Sequence, residues 1–335
     1  MEAKTNIKIT IVTITYNLIK EGREKTFKQC IESVHNQTYK NIEHIIIDGA
    51  STDGTLDIIQ KYVDKGWIKC YSEPDNGIYN AMNKGLSKAT GDYICYLNSD
   101  DFFHNKHGVE KMVKALIENN ANFAYSDVLY LKENGQYYGK LIGVEESFFI
   151  RMPICHQSLF VETDLMKSLG GFDENYRNAG DYEFIIRLFL SGKKGIKVKY
   201  NFVAYRLGGL SDKKELDSIS ECIKAFEKIY SKYEESYEYF DYKKMFNEII
   251  FPESLFFKLI SDVEPNLRER IIKKWNSYPK EYDNYRKILD ITYIKTFRVK
   301  TFIKNLLGIK KTNYDNVKKN LFFTHANYKK EIQKQ

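Results

Sequence analysis

Three short polar stretches combine residue types that could recognise a nucleotide. Asp48 ends the apolar run IEHIIID (Ile42–Asp48), where a charged side chain is costly unless it meets a donor. The N3–H of uracil is such a donor, whereas cytosine presents an acceptor there and would be repelled. A local turn that Asp48 caps with Ser51 and Thr52 accounts for it equally well. The second stretch, PDNGIYNAMNKG (residues 74–85), joins a tight turn at Asp75 and Gly77 to a helix whose polar side carries Asn80, Asn83 and Lys84. Free amides at a helix start, together with Lys84, suit a diphosphate or a ribose. An ordinary capped surface helix is the alternative. The third stretch, Asn98-Ser99-Asp100-Asp101, sets two neighbouring carboxylates directly after the apolar run 92–97. Taken alone, it also fits a solvated loop or a helix start capped by Ser99 or Asp100.

The surrounding pattern explains why these residues stand where they do. Residues 8–16 (KITIVTITY) are β-branched and apolar, and a helical spacing follows over 21–37. The strand 42–48 leads to a helix over 53–65 and a short strand over 67–71. A helix over 78–88 then precedes the strand 92–97. Strands separated by helices predict parallel βαβ units in a doubly wound sheet. Ligands of such sheets bind beyond the carboxyl ends of the strands. The polar residues fall there: Thr15-Tyr16-Asn17, Asp48-Gly49, residues 73–77, and Asn98 to Asp101. Residues 123–144 read as a β-hairpin, making the sheet mixed. Helices follow over 162–169 and 180–191. After Ser211 the chain is helical and rich in Lys, Glu and Tyr, with no Gly until Gly308. The fold class expected is α/β, a doubly wound, mostly parallel central sheet with a C-terminal helical appendage. The division expected is a body over 1–232 and a helical, basic region over 233–335.

Bulk properties narrow the class. The 335 residues are 43% hydrophobic, enough for a real core. No run of eighteen apolar residues occurs and MEAKTNIK is no signal segment, so a cytoplasmic protein is expected. Five scattered cysteines without a C-x-x-C pair argue against a disulfide framework and structural zinc. Neither G-x-G-x-x-G nor G-x-x-x-x-G-K-[ST] is present, which disfavours nicotinamide Rossmann enzymes and P-loop hydrolases. Residues 291–335 hold eleven Lys/Arg and two acids, against 41 basic and 43 acidic groups in the first 290. A near-neutral body with a basic tail points to an anionic partner. Within the tail, residues 294–311 interleave Phe297, Phe302, Ile303, Leu306 and Leu307 with six Lys/Arg. This basic amphipathic pattern suits a peripheral position on the inner face of the membrane. A helix docked on the body, or an oligomer contact, would use the same pattern. Nucleic acid is not expected, because no motif for it is present.

Together, TITYN (13–17), IIIDGASTDGT (45–55), PDNGIYNAMNKG (74–85), GDYICYLNSDD (91–101) and AGDYEFIIRL (179–188) resemble, in order and spacing, the family 2 glycosyltransferases. These are inverting enzymes of the GT-A fold that use nucleotide sugars. The resemblance covers about residues 7–210, and the forms IDGASTDGT, DNGIYNAMNKG and LNSDD are similar to a bacterial branch that assembles surface polysaccharides. Residues beyond about 235 match nothing in it. The resemblance implies that Thr15, Tyr16, Asn17, Asp48, Asp75, Gly77, Asn80, Lys84, Asn98 and Ser99 bind the nucleotide sugar. The family's D-x-D motif falls on Asn98-Ser99-Asp100, which implies a divalent cation, Mn²⁺ or Mg²⁺, held by Asp100 and Asp101. Asn98 departs from the usual first Asp and adds no charge. Asp181 falls on the family's catalytic base, with Glu183 as fallback and acceptor-side residue. His156 and Gln157 are implied near the acceptor, and YRLGGLS (205–211) resembles a loop that closes over the diphosphate. The implied reaction moves a hexose or N-acetylhexosamine from a UDP-sugar to a hydroxyl of a lipid-linked saccharide acceptor. A GT-A scaffold that has lost catalysis is the alternative, and the presence of both Asp100 and Asp181 speaks against it.

Overall fold

The computed structural model describes residues 6–132, 134–149, 152–208, 215–233, 250–276 and 285–287. The segment 294–311 and Gly209 to Ser211 of the expected closing loop lie outside the described residues. The chain opens as strand β1 (Ile9–Thr15), helix α1 (Glu24–His35), β2 (Ile42–Asp48), α2 (Thr55–Val63), β3 (Lys69–Ser72), α3 (Ile78–Lys88) and β4 (Tyr93–Tyr96). The interiors of β1 and β2 are buried on both faces, which is why they read as continuous apolar runs. The helices are amphipathic: α1 buries Phe27, Cys30, Ile31 and Val34, spaced to form one face.

After β4 come a two-residue strand β5 (Phe102–Phe103), α4 (Gly108–Asn119), the hairpin β6 (Phe123–Leu131) and β7 (Tyr137–Leu141), then β8 (Phe160–Glu162). The chain continues with α5 (Thr163–Ser168), α6 (Gly180–Leu190), β9 (Gly195–Arg206) and α7 (Glu215–Tyr230). The main sheet runs β3-β2-β1-β4-β8-β6-β9-β5, with β7 pairing the second half of β6. Strands β3, β2, β1 and β4 are parallel, as the alternating pattern predicts. β8 enters antiparallel to both β4 and β6, so the second half of the sheet is mixed.

Three apolar clusters pack the sheet, the smallest joining Phe27 and Ile31 of α1 to Ile46 of β2 and Ile58 and Ile59 of α2. A second joins β1, β2 and β4 to α3 and α6, and extends through Phe226 and Tyr230 of α7. It continues through Leu255 to Ile271 on α8 (Glu253–Ile260) and α9 (Pro265–Asn276). The remaining cluster gathers α1, α4 and β9. Buried packing therefore crosses the expected division at 232/233. Polar bonds cross it too: Arg270 on α9 pairs with Glu145 at 2.7 Å.

Candidate active site

The parallel register places Thr15, Asp48 and Ser72 side by side at the carboxyl ends of β1, β2 and β3. Asp48 is fully buried and accepts four hydrogen bonds, from Thr15 Oγ1 (3.1 Å), Ser51 Oγ (2.6 Å), Ser51 N (2.9 Å) and Ser72 Oγ (2.8 Å). A carboxylate has about four acceptor positions, so none is left for a nucleobase. The expectation that Asp48 reads uracil is therefore corrected: Asp48 and the buried Thr15 hold the turn. Ser51 takes part as expected, but the Thr52 amide bonds instead to Asn17 Oδ1 at 3.0 Å. Asn17, in a left-handed conformation, also donates its amide to Ser51 Oγ. It laces the two loops together.

What faces outward is Tyr16, 63% exposed, with Gly49 and Asp75 beside it. A Cβ at position 49 would lie 2.5 Å from Asp75 Oδ2 and 3.2 Å from the Tyr16 ring, so only glycine leaves this slot open. Asp75 Oδ1 accepts from the Gly77 amide at 2.9 Å, and Oδ2 has no partner among the described residues. Gly77 (φ +121°) starts α3, with the Arg177 guanidinium bonded to the Asn76 carbonyl just before it. Two expected donor contacts are committed elsewhere. Asn80 Nδ2 donates to Glu174 at 2.8 Å, and Lys84 Nζ reaches the Pro74 carbonyl at 2.5 Å and Glu73 at 3.3 Å. Both brace loops around α3.

The two acidic neighbours differ completely. Asp101 is buried, accepting from Gln157 Nε2 and, at 2.6 Å, from the Arg206 amide. Burial, then the charge of Asp100, pushes its carboxyl well above the usual carboxylate range. Its expected role as a metal ligand is corrected, since its oxygens point into the protein. Gln157, wholly buried on Asp101, is likewise removed from the acceptor side. Asp100 stays partly exposed, with Oδ2 3.3 Å from Arg23 Nη1. Arg206 Nη1 bonds the Asp100 carbonyl, while Nη2 donates to Gln29 Oε1 at 2.5 Å. Ser99 is buried, and the Asn98 amide has no partner among the described residues. The sequence pattern did not mark Arg23 or Arg177, and it marked Arg206 only as part of the segment YRLGGLS. They come from a loop, the loop before α6 and the end of β9, and no common motif marks them.

Asp181 occupies the first turn of α6. Its Oδ1 accepts from the Tyr182 amide (2.9 Å) and the Tyr79 hydroxyl (3.2 Å), and its Oδ2 faces His156 Nδ1 at 2.9 Å. Burial, then the Asp181 charge, pushes the Tyr79 phenol up, so Tyr79 is a fixed donor. Gly180 makes the approach possible, because a Cβ there would stand 2.7 Å from the Tyr79 ring. The loop entering α6 is tied to α7: Glu221 accepts from the amides of Arg177 (2.9 Å), Asn178 (2.7 Å) and Ala179 (2.8 Å). Glu183 points the other way. It is fully buried, paired with Arg187 at 2.6 Å and Lys228 at 2.7 Å, so its expected acceptor-side and fallback roles are corrected to a packing one.

Among the described residues no group of three His, Cys, Asp or Glu could hold a metal ion. Asp100 and the Asn98 amide oxygen offer two hard oxygen donors on one loop. Mg²⁺-type cations are commonly held by one or two carboxylates together with substrate phosphates and water. Asp100 and Asn98 would supply two oxygen ligands to such a cation, leaving its other positions to phosphate and water.

An α/β fold whose parallel strands end in these polar loops is of the GT-A type. The family model for glycosyl transferase family 2 matches residues 10–169. An uncharacterized glycosyltransferase of Mycobacterium tuberculosis is 31% identical over 194 residues, covering 54% of this chain and 69% of its own length. The PGL/p-HBAD biosynthesis glycosyltransferase of Mycobacterium bovis is 29% identical over 188 residues, covering 55% and 73%. Two solved structures share the fold. Staphylococcus aureus TarS 1–349 in complex with UDP-GlcNAc has a TM-score of 0.56 at 17% identity, covering 78% of this chain and 83% of that one. The Pyrobaculum calidifontis mannosyltransferase PcManGT, in complex with GDP-Man and Mn²⁺, has a TM-score of 0.54 at 15% identity, covering 92% and 89%. The chain belongs to glycosyl transferase family 2 and is a glycosyltransferase.

Proposed function

We propose that this enzyme transfers a hexose or N-acetylhexosamine, with inversion, from a UDP-sugar to a hydroxyl of a saccharide acceptor. The observation that carries the reading is the bond from Tyr79 on α3 to Asp181 on α6. It sets a carboxylate with one acceptor position still open beside the helix whose start faces the donor loops. Tyr16 offers a face for the base, and Asp75 Oδ2 an acceptor for its ring N–H. Uracil satisfies this arrangement, cytosine does not, and guanine, which also has a ring N–H, is the runner-up. The two solved structures that share the fold hold either kind of nucleotide, UDP-GlcNAc in one and GDP-Man in the other. The choice therefore rests on this chain's own residues.

In the reaction, Asp181 takes the proton of the acceptor hydroxyl as that oxygen bonds to the anomeric carbon. The bond from that carbon to the diphosphate oxygen breaks, and its electron pair leaves with UDP. Arg23 and Arg206 flank the acidic loop and oppose the charge of the departing diphosphate. When bound at Asp100 and Asn98, Mn²⁺ or Mg²⁺ supplies further neutralisation of that charge. The acceptor we propose is lipid-linked, met at the inner face of the membrane through the basic segment 294–311. No helix among the described residues is long and apolar enough to cross a membrane.

The test is a panel of UDP- and GDP-sugars with released nucleotide and product anomer read by NMR, for the wild type and Asp181→Asn. UDP release, an inverted product and a loss of about 10²–10⁴-fold in kcat for the variant are expected. Retention of configuration, or normal turnover by the variant, would refute the mechanism. Activity that survives a chelator would remove the cation, and tight donor binding without turnover would favour the inactive scaffold.

A further inference from the structure

His156 begins a short 3-10 turn, His156–Ser158, just before β8. Its Nδ1 meets Asp181 Oδ2 at 2.9 Å, whereas its Nε2 is closed off from water and has no hydrogen-bond partner among the described residues. The large majority of buried side-chain nitrogens have a hydrogen-bond partner. Here one nitrogen is buried unpaired while the other meets a carboxylate, and an unsatisfied buried group of this kind calls for a functional explanation. Tyr79 and the Tyr182 amide both occupy Oδ1, so the ring is the sole described partner of Oδ2. The ring is also fixed in place. The next residue, Gln157, is bonded to Asp101, and its carbonyl accepts from Cys95 Sγ at 3.4 Å. Consecutive residues of one turn thus hold the candidate base on one side and the acidic loop on the other.

We propose that His156 is a positioning residue for the transfer. Through its Nδ1–H it donates to Asp181 Oδ2 and turns the remaining lone pair of that oxygen toward the acceptor hydroxyl. The inference rests on the reading of Asp181 as the base. In the step itself the hydroxyl proton goes to Asp181, the new glycosidic bond forms, and the bond to the diphosphate breaks. His156 keeps its own proton throughout. Its contribution is orientation, which matters because a carboxylate free to rotate spends little time aimed at the nucleophile.

The experiment compares His156→Ala, His156→Asn and Asp181→Asn in the full chain. The readouts are kcat, UDP affinity by calorimetry, thermal stability, and ¹⁵N NMR of the histidine rings. Asparagine can reproduce the Nδ1–H donor but not the ring. We expect His156→Ala to lose about 10- to 100-fold in kcat, the equivalent of one hydrogen bond to a charged group, with UDP affinity unchanged. His156→Asn should recover to within about threefold of wild type. The His156 ring should show the Nδ1–H tautomer, and its signals should move in Asp181→Asn. Wild-type turnover by His156→Ala beside a slow Asp181→Asn would overturn this inference alone. So would a folded His156→Asn as slow as His156→Ala, or ring signals indifferent to Asp181→Asn. A fully active Asp181→Asn would overturn the base and this inference together.

Discussion

Glu221→Ala should slow transfer without removing any atom of the proposed site. Glu221 lies on α7, beyond the span matched by the family model, yet its carboxylate gathers three successive amides just before α6. These are amides of the kind that a helix start leaves without an internal partner. A hydrogen bond to a charged group contributes roughly 1.5–3 kcal/mol, so three set a ceiling of roughly 5–9 kcal/mol. Glu221 is half-buried and Arg177 exposed, so water replaces part of this in the variant. A net loss of about 2–4 kcal/mol is the working figure. Part of it should appear as loosening of residues 177–180, which carry Asp181 on their far end. A base misplaced by about 1 Å can cost on the order of 10²-fold in rate. Urea unfolding, kcat and calorimetric UDP affinity would be measured on Glu221→Ala and Glu221→Gln. Alanine should lose about 10–100-fold in kcat, and glutamine less, since one neutral oxygen can serve two of the three amides. Wild-type stability and turnover in Glu221→Ala would refute the reasoning. An equal loss in UDP affinity and kcat would refute its assignment to the base, pointing instead to Arg177 at the start of α3.

Two further outcomes separate carboxylates that look alike in the sequence. Asp75→Asn should weaken UDP binding about tenfold and erode discrimination against CMP, because an amide can present a donor where uracil also donates. Asp48→Asn should lower stability by about 1–3 kcal/mol through unmatched donors, with little change in base preference; calorimetry with both nucleotides checks the pair, and the opposite pattern would return base reading to Asp48. The third outcome concerns acid. Burial pushes Glu43 up, but Lys69 at 2.7 Å, the Thr90 amide and the Thr10 and Thr90 hydroxyls outweigh it, holding Glu43 at about 2 against an ordinary 4.5. A depressed carboxylate stabilises the fold above its unfolded value and loses that contribution as pH falls from about 4.5 to 2. Over that window about 2–3 kcal/mol should disappear from urea-measured stability, and Glu43→Gln should flatten this part of the profile.

The seven elements from β1 to β4 were legible in the sequence, as were the polar loops at the carboxyl ends of their strands. Both signals are local: apolar runs for strands covered on two faces, helical spacing for α1 to α3, and polar, glycine-bearing turns between them. Also legible were the hairpin β6–β7 and the helix that begins beside Asp181. The strand β9 was not legible, because Lys197, Lys199 and Tyr200 interrupt its first half and full burial begins only at Phe202. Tertiary structure alone decided which carboxylates are available. Asp100 and Asp101 are adjacent and identical in type, but Gln157 and the Arg206 amide, 56 and 105 residues away from Asp101, enclose it and leave Asp100 outside. Asp181 and Glu183 share one helical turn, but residues two apart on a helix face different ways. His156 and Tyr79 meet the first, and Lys228 with Arg187 neutralises the second. A side chain's capacity to accept a proton or a hydrogen bond belongs to its type and can be read in the sequence. Whether that capacity is already used depends on donors contributed by distant parts of the chain, and only the packing of the sheet and its helices brings them to it.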